Sequence, residues 1–160
     1  MSKSHSDGRA SKVRETSTGS VAVTILTLTQ MLHQRPEDAT LQALADTTMQ
    51  AITQRFWNGN YGLMCEALAH DYSRPDDINE DFSYLGHAIE TLWMAMDEAV
   101  RRRDRPLLEL CADRFRRHVE IAWDDVEGGL FRALHIREHS YTLDKVLWLQ
   151  EEGLIGCLLM

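Results

Sequence analysis

The sequence predicts an all-α fold in which helical hairpins repeat as part of a larger toroid. Two observations carry most of this. Residues 84–103 place Leu85, Ile89, Leu92, Trp93, Met96 and Val100 at helical spacing, which gives a broad apolar face to bury. The pattern around Trp57 returns around Trp123, and Ala67-Leu68 returns as Ala133-Leu134 at the same interval. Helical hairpins in such an array bury their faces against one another, so the array must continue or close into a ring.

The elements follow in chain order. Met1–Gly19 is rich in Ser, Lys, Arg and Gly and has little to bury, so it reads as a disordered leader ahead of a domain over 20–160. From Ser20 to His33 the β-branched content suggests a strand and the length a buried helix. The repeat favours the helix, because shifting His87–Glu98 back by the Trp57-to-Trp123 interval lands on Val21–Leu32. Pro36-Glu37-Asp38 reads as a helix start, with Leu41, Leu44, Ala45, Met49, Ile52 and Phe56 on the buried face. The run N-G-N-Y-G after Trp57 is a turn signal, and L-M-C-E-A-L-A after it suits a short hairpin arm. Tyr72–Phe82 is a polar loop. Arg105-Pro106 then opens a helix that buries Leu107, Leu110, Cys111, Arg114 or Phe115, and Val119. Trp123–His139 is turn-rich, and a last helix runs from Asp144.

Composition narrows the function classes. A formal net charge of −8 disfavours nucleic acid or an anionic membrane as partner. No stretch is long and apolar enough to span a bilayer, and the N-terminus lacks a signal-peptide core. Three cysteines, far apart and in apolar contexts, argue against a disulfide framework or a zinc site and suit a reducing cytoplasm.

One polar pair stands out. His87 and Glu90 lie three positions apart in the first turns of the 84–103 helix, on a side shared with apolar residues. A buried His and Glu at a helix start are either a satisfied structural pair or half of an acid–base site.

Three motifs lie in register with the repeat: G-H-A-I-E-T-L-W (Gly86–Trp93), W-D-D-V-E-G-G-L-F (Trp123–Phe131) and D-K-V-L-W-L-Q-E-E-G-L (Asp144–Leu154). Together they resemble the N-acylglucosamine 2-epimerase family, with its cellobiose 2-epimerases and mannose-type isomerases. The resemblance covers Val21 to the C-terminus. It implies an (α/α)6 barrel of which about half the ring is present. Ser20–His33, Leu85–Arg103 and Asp144–Cys157 would be inner helices, and Pro36–Phe56 and Pro106–Ile121 outer ones. It implies an isomerase of carbohydrate metabolism that removes the proton at C2 of an open-chain sugar, through an enediolate, without a cofactor or metal. His87 would be one base and Glu90 its partner, with Trp148, Gln150 and Glu152 lining the sugar pocket.

The chain departs from the family pattern in three ways. Leu147 stands where the third motif usually has a first tryptophan. The family's second catalytic histidine lies beyond Met160, and its N-terminal substrate contacts precede Val21. His70, His118, His135 and His139 have no motif support as replacements. The isolated chain is therefore expected to turn over little. Its rival reading is a truncated, non-catalytic sugar-binding or oligomerisation module. The exposed ring edges and the apolar end Leu154–Met160 predict homo-oligomers.

Overall fold

The computed structural model describes residues 15–69, 71–75 and 79–160. Strand β1 (Glu15–Ser17) leads into helix α1 (Thr18–Gln34), and α2 (Ala39–Gln50) follows, its last turn widening into a π-turn over Ala51–Arg55. Short strands β2 (Trp57–Asn58), β3 (Leu63–Met64), β4 (Ala67–Ala69) and β5 (Phe82–Ser83) precede α3 (Leu85–Arg102) and α4 (Arg105–Ala122). Strands β6 (Ala133–His135) and β7 (Ser140–Thr142) lead to α5 (Leu147–Leu159). The architecture is the expected α/α one with small hairpins in its loops. Helix α3 is central and packs on α1, α4 and α5, while α2 backs α1. Ile25, Ile52, Leu85, Ile89, Leu92 and Phe115 are fully buried between these layers.

The strands gather the loops at the N-terminal ends of the inner helices. Strands β1, β5 and β7 each precede an inner helix, and antiparallel pairs β1–β4, β5–β6 and β6–β7 join each to a neighbouring loop.

The sequence repeat holds down to single hydrogen bonds. Trp57 pairs with Met64, and Trp123 with Leu130. The Asn58 carbonyl accepts the Gly62 N–H at 2.8 Å, and the Asp124 carbonyl accepts the Gly128 N–H at 2.9 Å. Asn58 and Asp124 also accept, through their side chains, the N–H two positions on, forming matched Asx turns. Gly62 and Gly128 take φ of +65° and +70°, the left-handed region that glycine enters without a Cβ penalty.

Helix starts follow from their caps. Ser17, Asp38 and Asp104 accept backbone N–H groups of the first turns of α1, α2 and α4. Asp38 thereby moves the start of α2 from the expected Pro36 to Ala39.

Other expectations are corrected as well. Within the expected leader, Glu15–Gly19 is ordered; residues 1–14 lie outside the described residues. Glu15–Ser17 pair with Ala67–Ala69, and Thr18 donates from its hydroxyl to the Cys65 carbonyl and from its backbone to the Glu66 carbonyl. Backbone pairing holds this segment without apolar side chains. Phe82, read as loop, belongs to β5. Helix α5 begins at Leu147 rather than Asp144: Val146 before it is extended, Asp144 binds Arg132 at 2.8 Å, and Lys145 binds Asp124 at 2.5 Å. Leu44, Val100 and Leu110 lie exposed at the margins of their apolar stripes.

At the C-terminal end of α3, Glu98 is fully buried. It accepts hydrogen bonds from Thr29 Oγ1 (2.8 Å), Arg101 Nε and Nη2 (2.7 Å each) and Arg102 Nε (2.6 Å). Arg101 reaches on to Gln42, and Arg102 to Asp46, so one carboxylate ties α1, α2 and α3 together. Among the described residues no helix is long and apolar enough to cross a membrane. Cys65, Cys111 and Cys157 are all free thiols.

Candidate functional site

The first turn of α3 meets the starts of α1 and α5 and the turn before β4. His87 projects there, 31% exposed, with Nδ1 3.0 Å from Glu66 Oε1. A carboxylate oxygen accepts, so Nδ1 carries a hydrogen, and in the neutral ring Nε2 keeps its lone pair. The Tyr84 ring stacks on the imidazole at 4.1 Å and 17°. The Trp148 ring lies 5.9 Å from His87 and 6.3 Å from Tyr84, nearly parallel to both. Two glycines make this approach possible. A Cβ on Gly86 would lie 2.7 Å from Trp148 Cη2, and one on Gly19 would lie 3.3 Å from the His87 ring. The glycine of G-H-A-I-E is thus the space into which Trp148 packs.

The charges around His87 are mostly negative. Burial pulls the imidazole pKa down, but the hydrogen bond and charge of Glu66, with the charge of Glu90, outweigh it and hold the pKa above the usual histidine range. Glu90 is half-buried. Burial and then the nearby charge of Glu152 raise its pKa against the attraction of His87. Glu152 accepts the Trp93 indole N–H from α3. Glu66 Oε2 is buried and has no hydrogen-bond partner among the described residues. A guanidinium near the ring stack is that of Arg132, 5.8 Å from the Tyr84 ring centre and paired with Asp144. Among the described residues no three His, Cys, Asp or Glu side chains converge as metal ligands. A concavity of about 750 Å³ opens at the other end of α3 beside Arg103 and Met160 and contains none of these residues.

Four of the five residues singled out from the sequence meet here: His87 and Glu90 on α3, Trp148 and Glu152 on α5. Trp148 and Glu152 are one helical turn apart and share the face toward α3. Gln150 lies on another face. Its amide accepts the Leu130 N–H at 2.8 Å and donates to the Leu130 carbonyl at 3.0 Å, so both its ends are engaged by backbone. With Lys145 on Asp124, Gln150 fastens the Trp123 turn to α5, where the resemblance implied a contact with a sugar hydroxyl. The partner expected for His87 is also corrected: Glu66, not Glu90, holds its ring.

Glu66 had one signal in the sequence, a lone charge inside the apolar arm L-M-C-E-A-L. His118 is fully buried, donating from Nδ1 to the Arg114 carbonyl and accepting the Met64 N–H at Nε2. Burial pushes its pKa down to about 4, so it stays neutral and ties α4 to β3.

The layering of helices has counterparts in solved structures. The chain is similar to a cellobiose 2-epimerase from Spirochaeta thermophila, with a TM-score of 0.70 at 16% identity over 84% of this chain and 32% of that one. It is also similar to a D-mannose isomerase, with a TM-score of 0.52 at 13% identity over 96% of this chain and 56% of that one. At these identities the likeness is one of fold, that of a segment of an (α/α)6 barrel. The chain spans about a third of the length of the first protein and just over half of the second. No curated protein matches it. The stretch that carries both matched turns, the ring stack and the carboxylates around His87 falls within residues 25–159, which match N-acylglucosamine 2-epimerase (GlcNAc 2-epimerase), and the chain belongs to that family.

Proposed function

We propose that this chain forms part of the active site of a sugar 2-epimerase or aldose–ketose isomerase, with His87 as one of its acid–base groups. The observation that carries the reading is the imidazole itself. Its Nδ1 is engaged by Glu66 and its face by Tyr84, which leaves Nε2 as the nitrogen available at the loop side. The proton at C2 of an open-chain aldose is weakly acidic because the neighbouring carbonyl delocalises the charge left behind. Nε2 takes that proton to give an enediolate. Its return to the opposite face of C2 gives the epimer, and its delivery to C1 gives the ketose. Net epimerisation needs a second acid–base group across the sugar.

In this reading Trp148 offers an apolar face to the sugar ring. Glu90 and Glu152 accept hydrogen bonds from its hydroxyls, and this excess of carboxylates suits a neutral sugar. A reducing, cytoplasmic setting is supported by the free thiols. Self-association is supported by the exposed Leu147, Leu154 and Leu158 on α5.

One base suffices to exchange a proton even where epimerisation needs two. The test is loss of the C2–H resonance of mannose, glucose, cellobiose or N-acetylmannosamine in D2O, followed by NMR with this chain. We expect exchange above the blank that His87→Ala abolishes, with little net epimer formed. Exchange at the blank rate for all four sugars would overturn the reading. A sugar-dependent rise in melting temperature without exchange would favour the non-catalytic binding module instead.

A further inference from the structure

We propose that Glu66 is the positioning residue of this site, accepting the Nδ1 hydrogen of His87 so that Nε2 is the nitrogen that exchanges protons with the sugar. The inference rests on the reading of His87 as an acid–base group and adds the residue that sets its tautomer.

Three observations carry it. The first is geometric. Glu66 is 14% exposed, holds His87 Nδ1 at 3.0 Å through Oε1, and leaves Oε2 buried without a donor. A buried acceptor left bare costs stability, so the fold by itself gives no reason for an anion there.

The second is the repeat. Arg132 occupies the position equivalent to Glu66 in the next repeat, each followed by Ala-Leu in a short strand. Both carbonyls accept an N–H from the start of an inner helix: Glu66 from Thr18 at 2.8 Å, Arg132 from Gly86 at 3.2 Å. One backbone turn therefore accommodates opposite charges. The turn does not select the carboxylate of Glu66, and its neighbour His87 is what remains to select it.

The third is the motif carboxylate. Glu90, one turn along the same helix, lies within the field of Glu152, and the carboxylate bonded to His87 is that of Glu66.

The proton balance follows. Nε2 bonds the C2 proton, the C–H electron pair becomes the C1–C2 double bond, and the carbonyl π pair moves to O1. The imidazolium then carries hydrogen on both nitrogens, and the negative charge of Glu66 offsets its positive charge. Glu66 neither gains nor loses a proton, in the manner of the carboxylate behind a catalytic histidine. The return of the proton reverses each step.

The test is an NMR titration of the His87 ring in the whole chain, assigned with His87→Ala, for wild type, Glu66→Gln, Glu66→Asp and Glu90→Gln. Glu66→Gln removes the charge at constant shape and should lower the His87 pKa by about one unit or more. Glu66→Asp should restore most of that, and Glu90→Gln should move it less than Glu66→Gln. C2 exchange in Glu66→Gln should fall at least tenfold, with its pH inflection shifted down and the sugar-dependent melting shift retained. An unchanged His87 pKa and tautomer in Glu66→Gln, or a larger shift in Glu90→Gln, would overturn the proposal. If Glu66→Gln does not fold, Glu66→Asp decides: a His87 Nδ1 still bound to carboxylate supports the proposal, and a wild-type pKa without that bond overturns it. Should no sugar exchange with wild type, the titration still decides the role of Glu66, and only the functional reading fails.

Discussion

Helix α3 places a carboxylate near each of its ends, and their surroundings differ in kind. Glu98 is fully buried, and two arginines and a threonine hydrogen-bond to its oxygens. Burial pushes its pKa up, but those bonds from Arg101, Arg102 and Thr29 overcome it and hold the group below the usual carboxylate range. Glu90 is half-buried among Glu66, Glu152 and His87, and burial with the charge of Glu152 raises its pKa. One residue type on one helix is thus held toward its ionised form by donors at one end and pushed toward its protonated form at the other. Perturbed groups of the second kind concentrate at functional sites. The contrast separates the end of α3 that ties three helices together from the end where the proposed site lies.

The largest effect should come from breaking the brace. Glu98→Ala takes the shared anion from the half-buried Arg101 and Arg102, with Arg102 keeping Asp46, and removing one partner of a buried pair costs up to about 3–5 kcal/mol. Urea denaturation at neutral pH should show that loss, and a cost below about 1 kcal/mol would mean that the network contributes little.

A second buried group, outside the Glu98 network, gives the stability of the fold a pH signature. His118 is neutral in the fold, with a pKa of about 4 against an ordinary 6.5. The unfolded chain binds a proton in that window and the folded chain does not. Stability is therefore lost as pH falls from 6.5 toward 4, on the order of 3 kcal/mol in all. Equilibrium unfolding at several pH values should show that slope in wild type and a flatter one in His118→Gln, even though His118→Gln starts lower. His87 contributes with the opposite sign. Its pKa is raised, so its contribution is present below the ordinary histidine value and fades as pH rises through the folded one.

A third effect is confined to the other end of the helix. Gly86→Ala puts a methyl 2.7 Å from Trp148 Cη2 and must displace that ring. Overpacking of this kind costs about 1–3 kcal/mol. Tryptophan fluorescence should change, and the sugar-dependent melting shift should be lost. An unaltered emission spectrum and sugar response would show that Trp148 is not held where the stack places it.

How much of this was legible in the sequence differs between the two ends. Periodicity alone placed α3, because its apolar stripe is wide and its arginines mark its end. Helix α1 needed the repeat, since its β-branched residues argue locally for a strand. Glu15–Ser17 escaped because backbone pairing, not side-chain burial, orders them. At the site, helical spacing put His87 and Glu90 on one side of α3, whereas Trp148 and Glu152 were pointed to by the resemblance of the third motif to the family's. Glu66 was not singled out, and the backbone contacts of Gln150 were not foreseen, because their partners lie across loops: Glu66 reaches His87 from a turn, and Gln150 bonds the Leu130 backbone. Local spacing carries no information about such contacts.

The smallest predicted effect bears most directly on the contrast, because it concerns sign. Glu90 has a raised folded pKa, so its ionised form is less favourable in the fold than in the unfolded chain, and at neutral pH it costs stability. Glu90→Gln, which resembles the protonated acid, should raise stability at neutral pH by less than about 1 kcal/mol, the scale for partly exposed charges. That gain should vanish at a pH low enough to protonate Glu90 itself. Glu98→Gln should do the reverse, lowering stability at neutral pH and losing its effect as acid removes the ionised form from the wild type. Denaturation midpoints for both variants across pH decide it. Two losses of equal size at neutral pH would mean that both carboxylates are braces, and that the charge cluster around His87 is as structural as the one around Glu98.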